Sequence, residues 1–280
     1  MSVRDDSTIA LHAPDGAQAR ITPHGAYVTS WTPTGSNDDR LFVSANSAFG
    51  PAAAVRGGVP IIFPQFGMEG PLPKHGFARL MRWSLVRVEH VAHQARATLQ
   101  LVNDATSRAI WPHAFRAEVT VLIGGPTLDV TLHIVNTGDA PFTFTAALHP
   151  YFRVADSHRT VVTGLTGTHY RDALQGRLEV DDADPSIVIR DEIDRVYYDV
   201  TGPLHIREPH RALRIEQRGF RDAVVWNPGE TALRGKPDFV AGEERQMLCV
   251  ESATVQHPVV LGPGAHWSGA QVMTALLTRE

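Results

Sequence analysis

Apolar and polar residues alternate with a period of two along much of the chain. The runs Phe115-Arg116-Ala117-Glu118-Val119-Thr120-Val121, Leu128-Asp129-Val130-Thr131-Leu132-His133-Ile134, Ala97-Thr98-Leu99-Gln100-Leu101 and Leu213-Arg214-Ile215-Glu216 all follow it. Each predicts a strand with one buried and one wetter face. Gly124-Gly125-Pro126 separates the first two runs and predicts an antiparallel hairpin. Met247-Leu248-Cys249-Val250 is apolar throughout and predicts a buried strand. No segment carries three turns of amphipathic helix. The best short helical candidate is Val240–Leu248, where Glu243, Glu244 and Arg245 form a polar segment.

The 23 glycines and 19 prolines are spread throughout, which suits many short strands and starves long helices. The pattern predicts an all-β fold, a large sandwich or barrel. Without a Pro/Ser-rich linker, an internal repeat or an abrupt change in composition, residues 1–280 are expected to form one domain. The acidic run Asp181-Asp182-Ala183-Asp184-Pro185 lacks the ligand spacing of a calcium loop and is expected to be solvated.

With 43% hydrophobic and 20% charged residues, the 280-residue chain has material for a sizeable core. A net charge of −4 argues against non-specific nucleic-acid binding, so any positive charge at a site must be local. The single cysteine, Cys249, allows neither an internal disulfide nor a cysteine-based metal site. The polar start of the chain carries Asp5 and Asp6 and shows no secretory pattern, and no apolar run approaches the ~20 residues that span a bilayer. A cytoplasmic protein without a membrane partner is expected. A monomer is expected too, because no apolar surface stripe stands out.

The candidate chemistry concentrates in a few places. Arg56 to Gly67 and Lys74 to Arg79 set two arginines, a lysine and a histidine around the apolar stretch Val59–Phe63. Packing does not require those polar groups. Guanidinium forks at both ends of a Gly/Pro-rich region suit the paired oxygens of phosphate or carboxylate. The alternative is that Arg56 and Arg79 pair with Glu69 or another carboxylate. His75 precedes Gly76, where a ligand can approach the backbone closely; otherwise it is a turn histidine packed on Phe77.

Glu251 ends the apolar run Met247–Val250, where partial desolvation would raise a carboxyl toward neutrality and suit a general base. Read structurally, it faces solvent on an edge strand or holds an ion pair. His149, between an apolar run and Pro150, has an imidazole that gives and takes protons near neutral pH, or else donates to a backbone carbonyl in the core. Asp194 stands at a strand start, where it accepts from sugar hydroxyls or closes a turn. Trp226 offers an apolar wall or simple packing. A serine elbow, a P-loop, a dinucleotide fingerprint and a zincin motif are all missing, and His90-x-x-His93 lacks a third ligand and reads as surface.

In order along the chain, Arg56-Gly57-Gly58-Val59-Pro60, Phe63-Pro64-Gln65-Phe66-Gly67, His75-Gly76-Phe77-Ala78-Arg79, Leu148-His149-Pro150-Tyr151-Phe152, Asp194-Arg195-Val196-Tyr197, Val225-Trp226-Asn227-Pro228 and Cys249-Val250-Glu251 resemble the aldose 1-epimerase (mutarotase) superfamily. Within it they are most similar to the hexose-6-phosphate mutarotases. The resemblance implies a large antiparallel β-supersandwich of the galactose mutarotase type. It implies His149 as general acid, Glu251 as general base, Arg56 and Arg79 as phosphate contacts, and His75 and Asp194 as sugar contacts. No metal, nucleotide or redox cofactor is implied, and the partner is a small phosphorylated sugar. Lys74 stands where relatives often carry glutamine and adds charge to the anion site or shifts substrate preference. Ser252 replaces a small apolar residue. Two other readings stay open: an epimerase of free aldoses, and a non-catalytic carbohydrate-binding protein on the same fold.

Overall fold

The computed structural model describes residues 8–50, 53–176, 178–181 and 184–276; Asp182 and Ala183 of the acidic loop lie outside them. Among these residues the strands form three sheets of nine, eight and three strands, and every strand pairing is antiparallel.

The nine-stranded sheet contains the alternating runs. Phe115–Gly124 and Thr127–Asn136 pair across a two-residue turn, with Gly124 opposite Thr127. Gly125 adopts a left-handed φ of 55° there. Phe115, Ala117, Val119, Val121 and Ile123 face inward, while the alternate residues Arg116, Glu118, Thr120 and Leu122 stay half-buried. Gln94–Val102 and Ala212–Arg218 contain the other two predicted strands.

The eight-stranded sheet runs in the order Leu178–Asp181, His169–Asp172, Ile193–Tyr197, Asp222–Asn227, Met247–Leu261, Phe142–Leu148 and Ile61–Ile62, and Tyr151–Arg153 also pairs with Met247–Leu261. Its two faces separate by parity. Leu248, Val250, Ala223, Val225, Tyr197, Leu148 and Phe152 join the main core. Val224, Val196, Ala147 and Ala253 form a second small cluster, and Tyr151, Met247 and Cys249 belong to a third. Met247–Leu261 is therefore buried on both faces as far as Val255, as predicted for the apolar run Met247–Val250 and extending past it through Glu251, Ser252 and Thr254.

The helical candidate at Val240–Leu248 is corrected. A 3-10 turn covers Glu243–Gln246 only, and Met247 already begins the strand. Glu243 is buried, not solvated: its carboxylate accepts the N–H groups of Ala45 and Val240, both at 2.9 Å. Two backbone bonds to one side chain hold a tight turn where a longer helix was expected. The described α-helices are Ala105–Ile110, capped reciprocally by Asp104 and Ser107, and Gly229–Leu233. No helix among the described residues is long and apolar enough to cross a membrane. His90 and His93 are exposed at the turn between Ser84–Val91 and Gln94–Val102.

Candidate active site

Sheet register brings the two proton-carrying groups together. Phe142–Leu148 and Tyr151–Arg153 pair with Met247–Leu261 in one continuous register, Leu148 opposite Ser252 and Tyr151 opposite Cys249. His149 is thereby held opposite Glu251, on the face away from the main core. Its backbone N–H donates to Pro60 C=O at 3.1 Å, and Pro150 supplies no N–H of its own. His149 Nε2 lies 3.1 Å from Glu251 Oε1, with 10% and 2% of the two side chains exposed.

Burial sets the protonation of this pair. It pushes His149 down to about 3, with the charge of Arg79 next in effect. It raises Glu251 well above the usual carboxylate range; Asp194 adds to the rise, and Lys74 and Arg79 oppose it. Burial thus disfavours both the lone carboxylate and the imidazolium. Among the described residues, His149 Nδ1 and Glu251 Oε2 have no hydrogen-bond partner.

The pair lies in a cavity of about 370 Å³, a size suited to a small ligand. All eight sequence candidates line it: His149, Glu251, Arg56, Lys74, His75, Arg79, Asp194 and Trp226. Tyr151 stacks flat on His149 with ring centroids 5.1 Å apart and a 12° interplanar angle. Trp226 stands edge-on to both rings, at 6.0 Å from His149 and 5.9 Å from Tyr151. His149 is thus fixed in direction by aromatic surfaces.

His75 packs edge-on against Phe66 and His149, not against Phe77 as its structural alternative had it. Its Nδ1 accepts the Gly67 N–H at 3.2 Å, so the neutral ring carries its proton on Nε2 as a donor. Burial and the neighbouring cations push it down to about 2. His75 itself adopts a left-handed φ of 66°. A Cβ on Gly76 would meet Phe63 O at 2.2 Å, so this tight turn admits only glycine there.

The two arginines differ. Arg56 Nε and Nη2 both reach Asp238 Oδ2, at 2.9 and 2.7 Å, and Nη1 donates to the Tyr151 hydroxyl at 3.0 Å. Arg79 Nη2 donates to Lys74 C=O at 3.0 Å, and its buried Nε has no partner among the described residues. Burial lowers its proton affinity without an adjacent carboxylate to restore it fully. Glu69 pairs with neither arginine; it forms a two-pronged contact with Arg171. Asp194, raised by burial and countered chiefly by Lys74, stands at the start of Ile193–Tyr197 on the cavity face.

Tyr151, Phe66, Arg171, Glu69, Glu192 and Lys236 also line the cavity and were not singled out. Tyr151 follows His149 by two residues, and that spacing on a strand, which puts both on one face, was the available signal. Nothing in the sequence around Lys236 marks it.

The family model described as "Aldose 1-epimerase" matches residues 7–274. A Cenchrus ciliaris protein named "Putative glucose-6-phosphate 1-epimerase" is 34% identical over 279 residues, 96% of this chain and 84% of that one. A Salmonella typhimurium protein of the same name is 29% identical over 258 residues, 91% of this chain and 85% of that one. The crystal structure of a Salmonella typhimurium protein described as a "putative mutarotase" superposes with a TM-score of 0.90 at 28% identity, covering 98% of this chain and 92% of that one. A Lactobacillus acidophilus "galactose mutarotase related enzyme", 17% identical, shares the fold with a TM-score of 0.76 over 98% of both chains. With a family model spanning nearly its full length and a relative above 30% identity, the chain belongs to the aldose 1-epimerase family.

Proposed function

We infer that this chain interconverts the α and β anomers of a hexose 6-phosphate, with glucose 6-phosphate as its substrate. One observation carries the reading: a buried imidazole and carboxyl, 3.1 Å apart, sit in a cavity that also holds the uncompensated guanidinium of Arg79. The relatives' names agree with it.

The geometry suits ring opening. O1 and O5 of a cyclic sugar share one carbon, C1, so groups serving both oxygens must themselves be close. Glu251 takes the proton from the O1 hydroxyl while His149 delivers one to O5 as the C1–O5 bond breaks. The open aldehyde turns about C1–C2, and reclosure reverses both transfers to give the other anomer. A proton passed from Glu251 to His149 arms both groups with no change in net charge. Burial chiefly holds His149 neutral and Arg79, Arg56 and Lys74 add to it; a bound phosphate offsets those cations and so raises its proton affinity when substrate arrives. Each transfer contributes about 10²–10⁴-fold. Holding the distal phosphate fixes C1 over the pair, with His75 Nε2–H and Asp194 meeting sugar hydroxyls.

A doubly charged sugar phosphate is retained behind membranes, which supports the cytoplasm as its place of action. The test is anomer exchange by NMR with glucose 6-phosphate and with glucose. Acceleration of the phosphate at least tenfold above glucose is expected; equal rates on the two sugars, or on glucose alone, would contradict the phosphate reading.

A further inference from the structure

Of the two arginines visible in the sequence, Arg56 is largely committed. Asp238 takes its Nε and Nη2, Tyr151 takes Nη1, and the Phe239 ring centre lies 4.9 Å from its guanidinium carbon. Asp238 and Phe239 therefore fasten the segment Gly235–Phe239 onto Arg56. Lys236 belongs to that segment, two residues before Asp238, and stands half-buried in the cavity wall. Backbone bonds fix its place: Lys236 N–H donates to Leu233 C=O at 3.0 Å, and Phe239 N–H donates to Lys236 C=O at 3.2 Å.

Among the described residues no acid and no hydrogen-bond acceptor engages the Lys236 ammonium. An ammonium on an outer surface needs no partner. One in the wall of a cavity that also holds Arg56, Lys74 and Arg79 adds to the positive charge set there against Glu69, Glu192, Asp194 and Glu251, and an anion in the same space would pair with it. Asp238 does not relieve it, since its Oδ2 is taken twice by Arg56.

We propose that Lys236 is a ligand of the substrate's phosphate, closing the anion end of the cavity with Arg79 and the N–H groups that Arg56 has left. This rests on the sugar-phosphate reading above and names a residue that decides it. The division of labour follows from side-chain chemistry. The Arg79 fork sets the orientation of the phosphate plane, and the Lys236 ammonium, on a flexible stem, supplies a point charge that follows it.

The experiment uses the full chain and two readouts: calorimetric binding of inorganic phosphate, and KM for anomer exchange of glucose 6-phosphate. Lys236→Ala is expected to weaken phosphate binding and raise KM, each about tenfold, the loss of one charge-assisted hydrogen bond. Lys236→Arg is expected to recover most of both. Unchanged phosphate affinity and KM in Lys236→Ala overturn the proposal, as does a loss confined to kcat. A wild-type protein that turns over glucose and binds no phosphate overturns the sugar-phosphate reading itself. That failure shows in the wild type, whereas failure of the Lys236 assignment alone shows only in the variants.

Discussion

Glu251 and His149 face each other at 3.1 Å in a site with almost no solvent, so each depends on the other. Glu251→Gln keeps the shape and removes the base. It is expected to fold as the wild type does and to lose about 10²–10⁴-fold in the rate of anomer exchange, read by NMR; His149→Ala is expected to lose a similar factor. The neutral histidines also give a stability signature. His75 and His149 lie at about 2 and about 3 in the folded chain against an ordinary 6.5. Below 6.5 the unfolded chain takes up protons that the folded chain refuses, so their contribution to stability is present above that value and is lost as pH falls toward 3. Glu251, raised in the folded state, acts in the opposite sense. The clean observable is therefore a difference: His75→Gln is expected to lose less Tm than the wild type between about pH 7 and about pH 5. Parallel Tm–pH curves would contradict a neutral, buried His75. Both catalytic candidates were legible singly as a carboxyl ending an apolar run and a histidine before proline. Neither alone revealed that they touch, because contact between residues so far apart in sequence depends on strand register.

The strand Met247–Leu261 carries the site and depends on Asp222. That side chain is fully buried and accepts the N–H groups of Val255 at 2.7 Å and Gln256 at 2.9 Å, within the stretch where the strand's register against Phe142–Leu148 shifts. Asp222→Ala leaves those two donors, and the Asp199 N–H that reaches the same carboxylate at 3.4 Å, unsatisfied and is expected to cost about 3 kcal/mol in urea unfolding; a loss below about 0.5 kcal/mol would show that the bulge supports itself. Alternating strands such as Phe115–Gly124 and the turn after Gly124 were legible because one face is buried and the other is not. The segment around Glu243 misled for a definite reason. Its charges read as the polar side of a short helix in sequence, but the N–H groups of Ala45, far away in the chain, and of Val240, three residues before, hold the Glu243 carboxylate inside. The helix Ala105–Ile110 is too short for a periodic signal and owes its start to the Asp104–Ser107 cap.

At the scale of the molecule, the eight-stranded sheet turns one face to the main core and the other to the cavity, and residues from Arg56 to Glu251 meet on that second face. The ordered motifs disclosed which residues meet. The motifs did not disclose that Arg56 is bound to Asp238 while Arg79 remains the open guanidinium, because pairing partners on loops leave no periodic trace. Arg79→Ala is accordingly expected to raise KM for glucose 6-phosphate by at least tenfold, checked by steady-state exchange kinetics, and an unchanged kcat/KM would move the anion site elsewhere. The central claim is that the His149–Glu251 pair opens and recloses the ring of a sugar phosphate. Saturation transfer between the two anomeric protons of glucose 6-phosphate tests it most directly, with wild type and Glu251→Gln side by side. Transfer with the wild type and none above the uncatalysed rate with Glu251→Gln is predicted; equal transfer in both, or none with the wild type, would contradict it.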